Sequence, residues 1–184
     1  MITDSERESA IRSLTASRGV LLSAVEGVTD EESRWKPSPE RWSILEYVEH
    51  LAISDDGLVD LVRRILKAPP TEESPEQRAE RETKLRSAKI ERGVNQAPER
   101  LQPKNKFANV QEATDAFLAA RERTLEFART TQEDLRKHFA PHPVLGPLDG
   151  YQWLMGNSRH VESHSAHILE LKTMWAEHAV GTPG

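Results

Sequence analysis

The stretch from residue 157 to residue 171, NSRHVESHSAHILEL, places two histidines one helical turn apart within an apolar stripe. At about 3.6 residues per turn, one face of a helix through this stretch is mostly apolar and carries both imidazoles. The residues on that face are Trp153, Asn157, His160, His164, Ile168, Leu171 and Trp175. The stretch therefore predicts a long helix with His160 and His164 facing the protein interior.

Two imidazoles among Trp, Ile and Leu need partners, because an unsatisfied buried polar group costs about 1–3 kcal/mol. Histidines at i and i+4 direct their ring nitrogens toward a common point, and helical metal sites use this spacing. A third ligand would then come from another helix. The alternative is a core pair in which each ring bonds a carbonyl or a water, and the pair alone does not decide between the two.

Composition limits the fold and the partners of the chain. With 184 residues, 36% of them hydrophobic, and no break in composition, we expect a single domain over residues 1–184. The net charge is -5, and the basic residues are interspersed among acidic ones. No basic stripe would follow a phosphate backbone, so we expect no nucleic-acid partner.

The absence of cysteine and the polar N-terminal sequence exclude further possibilities. Without cysteine there are no disulfides, no thiolate ligands and no cysteine nucleophile, so a metal must be bound by His, Asp or Glu. A thiol would have to arrive on a substrate. MITDSERESA lacks the features of a signal peptide, and no segment approaches the length of a membrane span. We therefore expect a soluble cytoplasmic protein without a membrane partner.

Apolar residues at helical spacing predict four long helices, from residue 5 to about 27, 44 to 65, 110 to about 130, and 150 to about 178. The start of the second helix is well specified. Ser43 can cap it, the Glu46 side chain can reach back to the Ser43 N–H, and Trp42 can pack on Tyr47. Asn109 and Asp149 stand where they can cap the third and fourth helices. No strand-like alternation bounded by hairpin turns is present, so the pattern predicts an all-α four-helix bundle.

Residues 70–106 form a polar insertion between the second and third long helices. Apolar residues there are too sparse for a clear stripe, and a start signal at Ser74 and Pro75 predicts a helix from about 75 to 92. We interpret this segment as an excursion with a solvated or partner-facing surface. A mobile flap over a functional site is the alternative.

His50 lies about two turns into the second helix, at the edge of its apolar stripe. A bundle that joins the second and fourth helices can bring His50, His160 and His164 together. Three neutral imidazoles suit zinc, nickel or a similar divalent ion, and leave a coordination position for water or substrate. Such a Lewis acid can polarise an electrophile, or lower the pKa of a water or thiol toward neutrality.

Two segments resemble the motifs of a known family. WKPSPERWSILEYVEHL resembles the W-x-P…WS-x-x-E-x-x-x-H segment of the DinB/YfiT-like proteins. GPLDGYQWLMGNSRHVESHSAHILELK resembles their GPLD-x-YQWL…H-x-x-x-H-x-x-Q-I-x-E-x-K segment. The resemblance implies an up-up-down-down four-helix bundle, often a homodimer, that binds a metal through His50, His160 and His164. The family includes transferases that use bacillithiol, mycothiol or glutathione, together with metal-dependent hydrolases.

Three further residues are candidates for a second shell around the metal. His167 stands where the family usually has glutamine, and we interpret it as a second-shell donor, an extra ligand or a proton carrier, with a helix-interface residue as the alternative. Asn157 can orient a ligand or make an interior helix–helix hydrogen bond. Asp55 lies near the centre of the apolar stripe of the second helix, where a bend or a solvent gap is the alternative to a second-shell role. His138 and His142 are expected to be exposed loop residues.

Two functional hypotheses follow. In the first, the three-histidine site of a metal-dependent enzyme activates water or a low-molecular-weight thiol, for hydrolysis of, or transfer to, a small electrophile. In the second, the chain is a non-catalytic dimeric bundle that binds metal or a small ligand. A metal-free relic whose histidines bond one another through water is a third alternative. No organic cofactor is indicated.

Overall fold

The computed structural model describes residues 1–87, 97–143 and 145–181. Four long helical segments pack together: α1 (Asp4–Val25), α3 (Ile44–Asp56) continuing past Gly57 into α4 (Leu58–Ile65), α6 (Val110–Thr130) and α7 (Gly150–Gly181). The shorter elements are α2 (Asp30–Arg34), α5 (Pro75–Ser87), a 3₁₀ turn (Glu99–Leu101), β1 (Phe139–His142) and β2 (Gly146–Asp149). The predicted four-helix bundle is confirmed.

Side-chain caps fix the helix starts that position the candidate site. Ser43 accepts from the Glu46 N–H, and the Glu46 carboxylate accepts in return from the Ser43 N–H. Asp149 and Gln152 exchange the same pair of bonds at the start of α7. The ring centroids of Trp42 and Tyr47 lie 5.4 Å apart, as expected for the hydrophobic staple.

Replacing Ser43 with alanine should lower the free energy of unfolding by about 1 kcal/mol, because the first turn of α3 loses its cap. For a chain of this length the midpoint should fall by about 2–4 °C. Thermal unfolding measures the change, with the exposed Ser5 in α1, substituted by alanine, as the control. Equal shifts in the two variants would contradict a specific capping role.

Contacts between helix ends give the helix directions. Lys172, late in α7, donates to the carbonyls of Ala24 and Glu26 at the end of α1, so these two helices are parallel. Arg41, just before α3, bonds Glu170 late in α7, so α3 and α7 are antiparallel. The starts of α3 and α6 share one core cluster, whereas α4 and the end of α6 share the other, so α3 and α6 are parallel.

The order of directions is therefore up-down-down-up, which differs from the up-up-down-down order that the resemblance implied. The two connections differ in which ends of the bundle they join. Residues 26–43 begin and end at the same end, so α3 runs antiparallel to α1, whereas residues 66–109 join opposite ends, so α6 runs parallel to the α3–α4 segment.

The segment before α7 is a short β-hairpin rather than the loop expected around His138 and His142. β1 and β2 pair antiparallel, with Phe139 opposite Asp149 and His142 opposite Gly146. His142 packs on Trp153 with ring centroids 5.0 Å apart, and His138 Nδ1 donates to the Ala68 carbonyl at 2.7 Å. Both histidines are only partly exposed, so the expectation of exposed loop residues was wrong. Strands of four residues that contain proline are too short to show the alternation of apolar and polar residues that predicts a strand.

The polar insertion is fastened to the bundle at more than one point. In α5, Leu85 is buried, and Glu82 pairs with Arg136, whose guanidinium also pairs with Asp149. The predicted helix of residues 75–92 is observed over Pro75–Ser87, and its last residues lie outside the described ranges. Most other residues of α5 are exposed, so the predicted solvated surface is present, but this part of the insertion is also anchored to the bundle. Over the described ranges, no helix is long and apolar enough to cross a membrane.

Candidate metal centre

Three histidine rings from two antiparallel helices meet at one point. His50 Nε2, on α3, lies 2.9 Å from His160 Nε2, on α7, and His164 Nε2 lies 3.0 Å from the same atom. One nitrogen of each ring lies within 4.8 Å of the other two. No other group of three or more His, Cys, Asp or Glu in the described part of the chain converges in this way. The predicted convergence of the three imidazoles is therefore present.

The hydrogen bond of His50 to the main chain defines which nitrogen faces the cluster. His50 Nδ1 lies 2.7 Å from the carbonyl oxygen of Leu101, which can only accept, so Nδ1 carries the proton. In the neutral ring, Nε2 therefore presents a lone pair toward His160 and His164. The sequence did not predict this contact, because it comes from the polar insertion and joins residues 51 positions apart.

The donor set fits a divalent transition ion. His160 Nε2 has two nitrogen neighbours at about 3 Å. In a neutral ring, Nε2 carries at most one proton, so it can donate a hydrogen bond to only one of these two nitrogens. A cation between the rings would instead meet all three lone pairs. Ligand nitrogens of a tetrahedral zinc are about 3.3–3.4 Å apart for bonds of 2.0–2.1 Å, so the two distances to His160 Nε2 need only a small expansion.

Aromatic rings hold two of the three imidazoles in place. Trp42 lies 4.9 Å from the His50 ring, and Tyr47 lies 5.3 Å from the His164 ring, both measured between centroids. His50 and His164 are 3% and 8% exposed, whereas His160 is partly exposed. His160 is therefore the most exposed of the three residues, although its ring nitrogens are buried, and the other two rings are packed on the side of the core.

Burial keeps the rings of His50 and His160 in the neutral form that binds metal. It lowers the pKa of His160 to about 3, with smaller contributions in the same direction from His50, His142 and Arg121. Burial also lowers the pKa of His50, although the bond to the Leu101 carbonyl opposes it. At neutral pH, both rings are unprotonated and their lone pairs are available.

The metal-free protein should lose stability on acidification. His160 titrates near 6.5 when unfolded and near 3 when folded, so its contribution is complete above pH 6.5 and is lost as the pH falls toward 3. Each pH unit in this range costs up to about 1.4 kcal/mol per such ring. Asp149, whose pKa burial raises to about 6, acts oppositely below that pH. Thermal unfolding between pH 7.5 and 5 should show a shallower decline for His160→Gln, and equal declines would contradict this account.

Asp55 and Asn157 meet at a buried arginine that the sequence analysis missed. Asp55 Oδ2 accepts from Arg121 Nη2 at 2.5 Å and from Nε at 3.2 Å, while Asn157 Oδ1 accepts from Nη2 at 2.7 Å. Nη1 donates to the Leu14 carbonyl and to Ser17 Oγ, so all five N–H donors of the guanidinium are used. Of the two alternatives considered for Asp55, the solvent gap is wrong, because the carboxylate is fully buried in an ion pair, whereas the helix is interrupted two residues later, at Gly57.

A signal for Arg121 was present in the sequence. It stands four residues after Phe117 and three before Thr124, on the apolar stripe of α6, where an unpaired charge would be costly. Its Asn157 partner lies on α7, one turn before His160. Asn157 therefore connects the Asp55–Arg121 ion pair to the part of α7 that carries the histidines. The second-shell role of Asp55 and Asn157 stays a prediction.

His167 lies at the edge of the histidine cluster. Its ring centroid is 5.5 Å from that of His164 and 5.6 Å from that of Tyr47, and the ring is partly exposed. The converging group consists of the other three histidines. A second-shell role for His167 therefore also stays a prediction.

Fold and site together define a DinB/YfiT-like helical bundle with a three-histidine cluster. The model of the DinB superfamily matches residues 13–168, and the chain belongs to this superfamily. It is 28% identical over 149 residues to the uncharacterized protein YuaE of Bacillus subtilis (strain 168), covering 80% of this chain and 88% of YuaE. It is also similar to a solved structure of YfiT from Bacillus subtilis, with a TM-score of 0.63 and 19% identity, covering 96% of this chain and 91% of that one. YfiT is described there as a probable metal-dependent hydrolase with an unusual four-helix bundle topology.

Proposed function

We propose that this protein is a metal-dependent enzyme whose ion is held by His50, His160 and His164. The observation that carries the proposal is the approach of His50 Nε2 and His164 Nε2 to within 3.0 Å of His160 Nε2. Zinc and nickel are the ions we favour, because both accept neutral imidazole nitrogens. The description of YfiT as a probable metal-dependent hydrolase agrees with this proposal, although the likeness at 19% identity is one of fold.

The residues of this chain would hold and orient the ion rather than perform the bond-making step. When bound, the ion supplies a Lewis acid that polarises an electrophile or lowers the pKa of a water or thiol. The three imidazoles fill three positions and leave another for a small molecule. Leu101 fixes the tautomer of His50, and Trp42 and Tyr47 pack against the rings on the side of the core.

We propose that the substrate is a small electrophile, and that the nucleophile is water or a low-molecular-weight thiol. The chain has no cysteine, so a thiol would have to bind as a cosubstrate. His160 is the most exposed of the three residues, and we propose that a small molecule approaches the cluster from its side. A single domain over residues 1–184, assembly as a homodimer and a cytoplasmic location belong to the same proposal, from the resemblance and the sequence composition.

A non-catalytic metal-binding bundle is the second candidate. The observation that favours it is the burial of two of the three imidazoles, at 3% and 8% exposure, because a structural ion needs no position that substrate can reach. In that case the ion would stabilise the contact between α3 and α7 and turn over no substrate.

Metal analysis combined with activity assays separates these candidates. The protein is purified without chelator, its metal content is measured by elemental analysis, and a panel of esters, amides and alkylating electrophiles is assayed with and without glutathione or bacillithiol. About one ion per chain, with turnover that chelation removes and metal restores, would support the enzyme. Stoichiometric metal that raises the unfolding temperature without any turnover would support the structural candidate. Absence of bound metal after reconstitution would contradict both.

A further inference from the structure

The end of the polar insertion is tied to α3 at two neighbouring residues. Leu101 bonds the ring of His50, as described above, and the following segment crosses Glu49. The Glu49 carboxylate is buried, at 1% exposure. Its Oε1 accepts from the Lys104 N–H at 2.7 Å, and the Lys106 N–H lies 3.2 Å from each of the two carboxylate oxygens.

The backbone of this segment is shaped for the carboxylate. Asn105, between the two donating amides, has φ of 57°, in the left-handed region that asparagine tolerates better than most residues. A left-handed residue inside a turn can aim amides on either side toward one anion. A buried carboxylate is costly without such donors, so the amides of the 101–106 segment stabilise Glu49, and Glu49 in turn fixes the position of the segment.

We propose that Glu49 is a positioning residue for the metal centre: it anchors the 101–106 segment so that the Leu101 carbonyl holds His50 Nδ1–H. This inference rests on the proposed function, because its main expected effect is a change in the affinity of the three histidines for a metal ion. Adjacent residues on a helix point about 100° apart, so Glu49 acts through the segment and not by direct contact with the cluster. Outer partners of this kind fix the tautomer and orientation of a ligating histidine and raise its basicity.

The position of Glu49, next to His50 on α3, explains how the polar insertion contributes to the histidine cluster of the bundle. Without the bonds to Glu49, the segment would be held at His50 by the single hydrogen bond that His50 Nδ1–H donates to the Leu101 carbonyl. Loss of that bond would free the His50 ring to rotate or to carry its proton on Nε2, the atom that faces His160 and His164. Anchoring at Glu49 thus keeps the Nε2 lone pair available.

The test compares Glu49→Ala and Glu49→Gln with Glu112→Gln. Glu112 is a matched control, because its carboxylate also accepts a backbone N–H, that of Ala108 at 2.8 Å, just after the 101–106 segment and at the exposed start of α6. Co²⁺ alone is the probe, with its affinity measured by chelator competition and its visible absorption reporting coordination. Amide hydrogen exchange and the His50 Nδ1–H signal are followed by NMR in the metal-free protein.

We expect Glu49→Ala to weaken Co²⁺ binding about 10- to 100-fold, and Glu49→Gln to weaken it less, since the amide keeps one acceptor oxygen. In the metal-free protein, the amides of Lys104 and Lys106 should exchange faster and the His50 Nδ1–H signal should weaken. Glu112→Gln should leave Co²⁺ affinity and the His50 signal unchanged. If the alanine variant loses cooperative unfolding, the glutamine variant carries the comparison.

Wild-type Co²⁺ affinity in a folded Glu49→Ala variant would overturn the proposal, as would unchanged exchange at Lys104 and Lys106. Failure of the wild-type protein to bind Co²⁺ would instead count against the proposed function. In that case, the exchange rates and the His50 Nδ1–H signal in the metal-free protein still decide whether Glu49 positions the segment. The two failures are therefore distinguishable.

Discussion

Replacing His160 with alanine should remove stoichiometric metal binding. His160 Nε2 is the central nitrogen of the cluster, within 3.0 Å of the nitrogens of both other rings. Its loss leaves two imidazoles and should cost more than the 10- to 100-fold in affinity typical of an outer-shell change. Any turnover that depends on the ion should disappear with it. Elemental analysis after reconstitution and chelator competition measure the effect.

His138→Ala is the matched control, because this ring bonds the Ala68 carbonyl on another side of the molecule. It should retain wild-type metal content. Equal stoichiometric metal in His160→Ala and in the wild-type protein would place the ion elsewhere and end the proposal for this site. Loss of metal in both variants would indicate that folding, and not ligation, was disturbed.

Replacing Arg121 with alanine should lower the free energy of unfolding by about 3–5 kcal/mol, because Asp55 is left buried without its cation. For a chain of this length, the unfolding midpoint should fall by roughly 10 °C. The effect is large because neither partner has any exposed side-chain surface, and the guanidinium also bonds Asn157 and the Leu14 carbonyl. Thermal and denaturant unfolding measure it.

The same two helical segments provide the control for this prediction. Arg123 and Asp56 also form an ion pair, but their side chains are 57% and 66% exposed. Arg123→Ala should therefore change stability by less than about 1 kcal/mol. Similar losses in the two variants would mean that burial does not set the strength of these pairs. The double variant Asp55→Leu with Arg121→Met should recover much of the loss, because an apolar pair leaves no buried charge.

The sequence by itself determined the helices, their starts and the inward position of the histidine pair. These features depend on residues three or four positions apart, such as Ser43 with Glu46 and His160 with His164, so they can be read without the fold. The position of His50 in the second helix made it a candidate third ligand, and the resemblance to the DinB/YfiT-like proteins implied the same three histidines. The superfamily is now shown by the match over residues 13–168.

Only the tertiary structure decided the partners of these side chains. The Leu101 carbonyl on His50 and Asp55 on Arg121 join residues 51 and 66 positions apart. The order of the helix directions and the hairpin before α7 likewise depend on how the connectors cross the bundle. A periodic pattern shows which face of a helix is buried, but the residue it meets is set by long-range packing, and no local spacing encodes that.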